Sequence, residues 1–227
     1  MTKKSSEKII LLYTLLKKIY GPQGWWPITG KYHPKDYSYP KNNLQRFEII
    51  IGTILTQNTT WKNAEKTVLS LKTKKLLIPK LIIKTSQKKL SEIIKPAGYF
   101  NQKSAYLKNI AEFIVKLNAK IPQRNELLKI RGIGPETADS ILLYAFNQPE
   151  FVVDSYTKRI FTELNIVKTS NYNSIKKIVE ESFQSKKETK TVIFQELHAL
   201  IVEHAKQYYS KKPFGIKDPL KPDFNNI

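Results

Sequence analysis

The chain has 227 residues, no cysteine and a formal charge of +20 at neutral pH. That length admits one domain or two interleaved lobes around a substantial core, and the missing thiols exclude disulfides, thiolate-held metals and cysteine nucleophiles. The charge favours a polyanionic partner. Only Arg46, Arg124, Arg131 and Arg159 are arginines, however, and a surplus of lysine, isoleucine and asparagine also arises from genome bias.

Helical signals dominate in chain order. Ser5 or Ser6 is expected to cap a helix carrying Ile9, Leu12, Tyr13, Leu16, Ile19 and Tyr20, stopped by Gly21-Pro22. A loop rich in Pro, Gly and Tyr runs to about residue 43 and contains Trp25-Trp26-Pro27. Helices are expected over 46–55, buried, and over 61–71. A short one begins at Ser86 and ends before Pro96-Ala97-Gly98. Another opens at Asn101, with Ala105, Ile110, Phe113 and Leu117 on its inner face. Further helices are expected over 156–164, 174–183 and 189–209. Phe151-Val152-Val153 has strand character but no convincing partner, and the tail from Ser210 reads as a loop or docked extended segment. No apolar run of about 18 residues exists for a membrane span, and no secretory signal is evident. A monomer of the cytoplasm, associated with the nucleoid, is the expectation.

The densest signal is the run from Leu127 to Leu143. A helix ends at Arg131-Gly132-Ile133-Gly134, and a second begins at once with Pro135 in its first turn. Glycines permit backbone conformations closed to other residues and close approach of another backbone. The free amides and positive dipole end of the second helix suit a phosphate. Such a contact positions a duplex without reading its sequence. An ordinary tight turn between helices uses the same residues. Some twenty residues on, Val152-Val153-Asp154 places one acid at the start of another helix. Asp154 reads either as an N-cap or as a carboxylate brought back beside the hairpin.

Taken with Leu55-Thr56-Gln57-Asn58-Thr59 and Pro96-Ala97-Gly98-Tyr99-Phe100-Asn101-Gln102-Lys103, these landmarks cover most of the chain. Their order and spacing resemble the helix-hairpin-helix DNA glycosylase superfamily, the endonuclease III-like proteins. The resemblance implies an all-α fold of two helical lobes with an active-site cleft between them. One lobe would comprise residues 1–44 and 151–227, the other a helical barrel over 45–150. It implies that Asp154 is the catalytic aspartate, that Gln57 fills the gap left by an extruded nucleotide, and that Arg131, Gly132, Ile133 and Gly134 hold the DNA backbone. Carbonyls of Leu128, Ile130 and Ile133 would hold a monovalent cation. Read on its residue type alone, Gln57 is a surface amide or a helix cap.

Two departures narrow the comparison. Bifunctional members carry a lysine two residues after the second glycine, where this chain has Glu136. A carboxylate cannot form an imine, so a monofunctional glycosylase is expected, with Glu136 an acid favoured by the helix dipole. Neither Lys158 nor Lys206 matches the nucleophile position. Many relatives also hold an iron–sulfur cluster on four C-terminal cysteines. The corresponding positions are Tyr209, Gly215, Asp218 and Phe224, and none is a thiolate. The loop is expected to be held by packing of Tyr209 and Phe224 instead, with no cofactor required.

The pattern is similar to the type III 3-methyladenine branch, which shares a Trp-Trp-Pro before the first barrel helix and Glu in the hairpin. By that likeness Trp25, Trp26, Pro27 and Trp61 surround a flipped, alkylated base, and Lys206 projects toward it as a desolvated amine. Trp25 and Trp26 read equally well as a hydrophobic plug, or as one of each. The partner is double-stranded DNA with a damaged base. His198, Glu203 and His204 lack metal-ligand alignment and read as core or surface residues. Two competing readings stay open. One is a glycosylase for oxidised or mismatched bases, with or without lyase activity. The other is a non-catalytic DNA-binding protein.

Overall fold

A computed structural model describes residues 3–225. Among them there is no strand, only an isolated bridge between Ile28 and Lys31. The helices are α1 (Lys3–Tyr20), α2 (Asn43–Leu55), α3 (Trp61–Thr73), α4 (Pro79–Lys84), α5 (Gln87–Ile93), α6 (Phe100–Leu117), α7 (Arg124–Leu128) and α8 (Pro135–Ser140). Beyond them come α9 (Ser155–Glu163), α10 (Tyr172–Ser182), α11 (Lys187–Tyr208) and α12 (Lys221–Asn225). After Ser140 the backbone widens into a π-turn over Ile141–Ala145. Among the described residues no helix is long and apolar enough to cross a membrane.

The chain forms two compact units. The first comprises Met1–Trp25, His33–Tyr37 and Asn147–Ile227, the second Trp26–Tyr32 and Ser38–Phe146. The expected boundaries at 44/45 and 150/151 therefore move. The chain first crosses between the two adjacent tryptophans, because Trp26 packs with the second unit while Trp25 stays with the first.

In the first unit α11 is the central rod, with Thr191, Phe194–Ala199 and most residues to Ala205 buried. Helices buried on nearly every side are core elements; α1 and α9 pack against this one, and α10 packs on α1. Helix α1 begins by Lys3, upstream of the expected serine cap. Ser5 sits inside it and its hydroxyl donates to the Ile166 carbonyl at 2.9 Å. Residues 151–153 are buried and extended but form no strand. The Phe151 amide donates to Glu180 Oε1 at 2.9 Å and the Val153 amide to the Tyr172 hydroxyl at 3.4 Å. Side chains thus satisfy amides that a neighbouring strand would otherwise take.

The tail closes this unit through buried polar groups rather than apolar packing alone. Asp218 Oδ2 accepts from the Tyr209 hydroxyl, Oδ1 lies 3.0 Å from His204 Nε2, and the Leu220 amide donates to Oδ1 at 2.8 Å. His204 Nδ1 lies 2.9 Å from the Tyr20 hydroxyl. Burial pushes the Asp218 carboxyl up, but its hydrogen bonds from His204, Tyr209 and the Leu220 amide outweigh this and hold it below the usual carboxylate range. Phe224 and Tyr209 are both buried, as expected. A Cβ at Gly215 would lie 2.8 Å from the Tyr209 hydroxyl. These positions cannot ligate an iron–sulfur cluster: the phenol and carboxylate are spent on each other, and the other two offer no ligand atom.

In the second unit α2 is the rod, buried from Phe47 to Leu55 and capped by Asn42, whose side chain accepts from the Gln45 amide at 3.0 Å. Ser86 caps α5 as expected. Helix α4 went unforeseen. Its six residues begin at Pro79 and bury only Ile82, too short for a periodic signal. The inner face of α6 is Lys103, Ser104, Leu107, Ile110 and Ala111, whereas Ala105, Phe113 and Leu117 are half-buried. Apolar periodicity does not mark this face because it includes a buried lysine. Lys103 Nζ donates at 2.8 Å to the carbonyls of both Leu55 and Ala97, tying α6 to the end of α2.

Candidate active site

The hairpin lies in the second unit. Arg124 at the start of α7 forks onto Asp139 of α8, with Nε–Oδ1 at 2.7 Å and Nη2–Oδ2 at 3.1 Å. Asp139 is fully buried. A paired guanidinium is what makes such a buried charge tolerable. This clamp fixes the two helices against each other and escaped notice in the sequence. A lone arginine in a lysine-rich chain, fifteen residues before an acid inside an apolar run, was the available signal.

The two glycines differ. Gly132 adopts φ +99°, and a Cβ there would fall 2.2 Å from the Tyr106 ring, so this position needs glycine twice over. Gly134 has φ −92° and ψ 178°, open to any residue, and a Cβ would meet no protein atom within 4 Å. The expectation that both glycines supply special backbone is corrected for Gly134. Arg131, Gly134, Pro135 and Glu136 are exposed, Gly132 is half-buried and Ile133 is buried. The Ile130 carbonyl accepts from the Ile133 amide at 3.0 Å, leaving one lone pair for any cation. Leu128 and Ile130 are half-buried.

Gln57, on the loop after α2, is neither a surface amide nor a cap. Its Nε2 donates to the Gly132 carbonyl at 3.0 Å and to Thr137 Oγ1 at 2.9 Å. The side chain is folded onto the hairpin. Trp26 is the plug: its ring meets Trp61 edge-on at 5.4 Å and Tyr144 at 5.3 Å. Gly52 of α2 leaves room for it, with the indole Nε1 only 3.2 Å from where a Cβ would sit. Trp26, Pro27 and Trp61 border a crevice of about 10 Å³, room for a water and not for a base.

The first unit holds Asp154, Trp25 and Lys206, joined by His198. Asp154 caps α9, so the N-cap reading is correct as geometry. Its Oδ1 accepts from the Thr157 amide at 2.7 Å and from the Thr157 hydroxyl at 2.8 Å. Its Oδ2 lies 3.9 Å from His198 Nε2, too long for a direct hydrogen bond. The capping oxygen and the second oxygen thus do different things. His198 is buried on α11. Burial lowers its pKa, and the Asp154 charge offsets this only in part. The half-buried Trp25 meets this imidazole edge-on, with centroids 5.8 Å apart. Lys206 Nζ stands 6.0 Å from the Trp25 ring centre and 3.0 Å from Glu203 Oε2. Its side chain is 46 % exposed, so the expected desolvated amine is corrected to a solvated one with a carboxylate neighbour. No three His, Asp or Glu side chains among the described residues are grouped to hold a metal.

Known proteins resemble this chain over most of its length. Residues 51–185 match the family model of the HhH-GPD superfamily of base excision DNA repair proteins. A provisionally named DNA repair glycosylase of Methanocaldococcus jannaschii is 39 % identical over 233 aligned positions, spanning 97 % of both chains. Endonuclease III of Sulfolobus acidocaldarius is 33 % identical over 80 % of this chain and 84 % of its own. Among solved structures, H. pylori 3-methyladenine DNA glycosylase bound to 1,N6-ethenoadenine superposes with a TM-score of 0.72 at 27 % identity, over 90 % of this chain and 98 % of that one. An endonuclease III–DNA covalent intermediate shares the fold at TM-score 0.74 and 17 % identity, over 96 % and 93 %. With a family model matching more than half its length and a relative aligned end to end, the chain belongs to the HhH-GPD superfamily of base excision DNA repair proteins.

Proposed function

We propose that the protein is a monofunctional DNA glycosylase that excises alkylated bases of the 3-methyladenine type by hydrolysis. The observation that carries this reading is the pairing of Asp154 with an aromatic wall in one unit. One carboxylate oxygen is immobilised by Thr157, and the other is directed toward a buried imidazole packed on Trp25. An electron-poor alkylated base stacks favourably on an indole face, and its positive charge makes it a good leaving group.

In this reading Asp154 Oδ2 stabilises the oxocarbenium charge that develops at the sugar C1′ as the glycosidic bond breaks. The pair of electrons leaves with the base. Water then adds to C1′ and its proton passes to the carboxylate or to solvent. An abasic site and a free base result. Glu136, exposed in the first turn of α8, supplies no amine for an imine intermediate. The hairpin and the surrounding lysines hold the duplex backbone. Gly134 supports this, since no protein atom explains its missing side chain, while an approaching phosphate would.

Base release from duplexes with one defined lesion each, followed by mass analysis of the freed base, names the substrate. Asp154→Asn is expected to abolish release by a factor of roughly 100 or more while retaining duplex binding, because asparagine preserves the cap. A duplex binder in which Asp154→Asn changes nothing would be a non-catalytic relative. The solvated amine of Lys206 beside Trp25 favours testing a second reading, a lyase acting through that lysine. Borohydride trapping decides it. No covalent adduct is expected.

A further inference from the structure

Glu196 of α11 is 1 % exposed, and both carboxylate oxygens are used. Oε2 accepts from the Gln23 amide at 2.7 Å and Oε1 from the Gly24 amide at 3.0 Å. The Tyr37 hydroxyl also donates to it, and burial first, then the Glu196 charge, pushes that phenol up to about 12. On its other side Gly24 touches the chain at His33. The His33 amide donates to the Gly24 carbonyl at 3.0 Å, and a Cβ at Gly24 would lie 2.2 Å from the His33 carbonyl carbon. The segment is therefore fixed from two directions immediately before Trp25. Two residues beyond Glu196 on the same helix stands His198, which contacts the Trp25 ring and faces Asp154.

We infer that Glu196 is a positioning residue for base recognition. Its carboxylate clamps the backbone at 23–24, so that Trp25 is presented at a set distance from His198 and Asp154. This rests on the reading of Trp25 and Asp154 as parts of the glycosylase site. The chemistry calls for a carboxylate and not merely a polar group. Two amide donors meet two acceptor oxygens, and charge-assisted bonds of this kind are the strong ones. A glutamine offers one oxygen and turns an N–H₂ toward the second amide, which is then left buried without an acceptor. A plain structural role would predict that loss of the clamp weakens everything equally. A positioning role predicts that recognition of the lesion suffers and general DNA affinity does not.

The test compares the intact protein with Glu196→Gln and Tyr37→Phe. Affinities are measured for a duplex carrying one 1,N6-ethenoadenine and for the same duplex undamaged. Acrylamide quenching of Trp25 is taken as the difference from a Trp25→Phe protein. Preference for the lesion is expected to fall about tenfold in Glu196→Gln and about threefold in Tyr37→Phe, as loss of one buried hydrogen bond implies. Affinity for the undamaged duplex is expected to stay within about twofold, and Trp25 is expected to become more quenchable. Unchanged preference, parallel loss on both duplexes, or unaltered quenching would overturn the proposal. If Glu196→Gln does not fold, Tyr37→Phe decides alone. If the wild-type protein shows no lesion preference, the alkylated-base reading fails, and the quenching result still decides whether Glu196 sets Trp25.

Discussion

Replacing each hairpin glycine by alanine separates folding from DNA binding at two positions two residues apart. In Gly132→Ala the methyl is placed 2.2 Å from the Tyr106 ring in a residue with φ +99°. Forced overpacking costs roughly 1–3 kcal/mol, and a non-glycine residue held at such a φ costs about 1–3 kcal/mol more. The sum is on the order of 2–6 kcal/mol, a large share of the stability of a protein this size. In Gly134→Ala the methyl meets nothing and φ is −92°. Alanine is a poorer N-cap than glycine by about 1 kcal/mol, while a stiffer unfolded chain returns roughly 0.4–1 kcal/mol. The two nearly cancel. Urea unfolding is therefore expected to show a clear loss for Gly132→Ala and a change within about 1 kcal/mol for Gly134→Ala. Duplex affinity, read by anisotropy at two salt concentrations, is expected to fall for Gly134→Ala despite its intact fold, because the methyl occupies the space a phosphate must enter. Gly134→Ala binding duplex as tightly as wild type would refute the argument that this open glycine exists for an outside partner.

Arg124→Met is expected to cost about 3–5 kcal/mol, since it removes the guanidinium that forks onto the fully buried Asp139 carboxylate; Arg124→Met with Asp139→Asn should recover part of that loss in the same unfolding assay. Burial lowers the Lys103 pKa to about 8, so the unfolded chain holds this proton more tightly than the folded one. Stability should therefore rise as pH climbs from about 8 to 10.5, by up to roughly 3 kcal/mol, and Lys103→Met should flatten that rise. The two carbonyls that accept from Lys103 favour its charged form and make the figure an upper bound. Tyr209→Phe removes the hydroxyl bonded to Asp218 and is expected to cost about 1–3 kcal/mol, read by thermal unfolding, without changing duplex affinity.

Much of the site was legible before any coordinates. The helix–Gly-x-Gly–helix run, the acid some twenty residues later and Glu136 in place of lysine are local patterns, and local patterns survive in sequence. The core rods α2 and α11 announce themselves through dense apolar content. Helix starts at Ser86 and Asp154 follow from capping chemistry, in which a side-chain oxygen takes an orphan amide; the start at Asn42, four residues ahead of the expected one, does not show in the apolar pattern.

What the sequence could not decide was which residues meet across long separations. Lys103 reads as a solvent-facing residue until carbonyls 48 and 6 residues away supply its acceptors. Trp25 and Trp26 are chemically identical neighbours, and only packing against Gly52 makes one a plug while the other lies against His198. Asp139, held by Arg124, and Glu196, held by the amides of Gln23 and Gly24, are buried charges whose partners only the fold brings to them. Periodicity and capping report what a residue does with its near neighbours; the desolvation of a charge, and the partner that makes it tolerable, are properties of the folded interior.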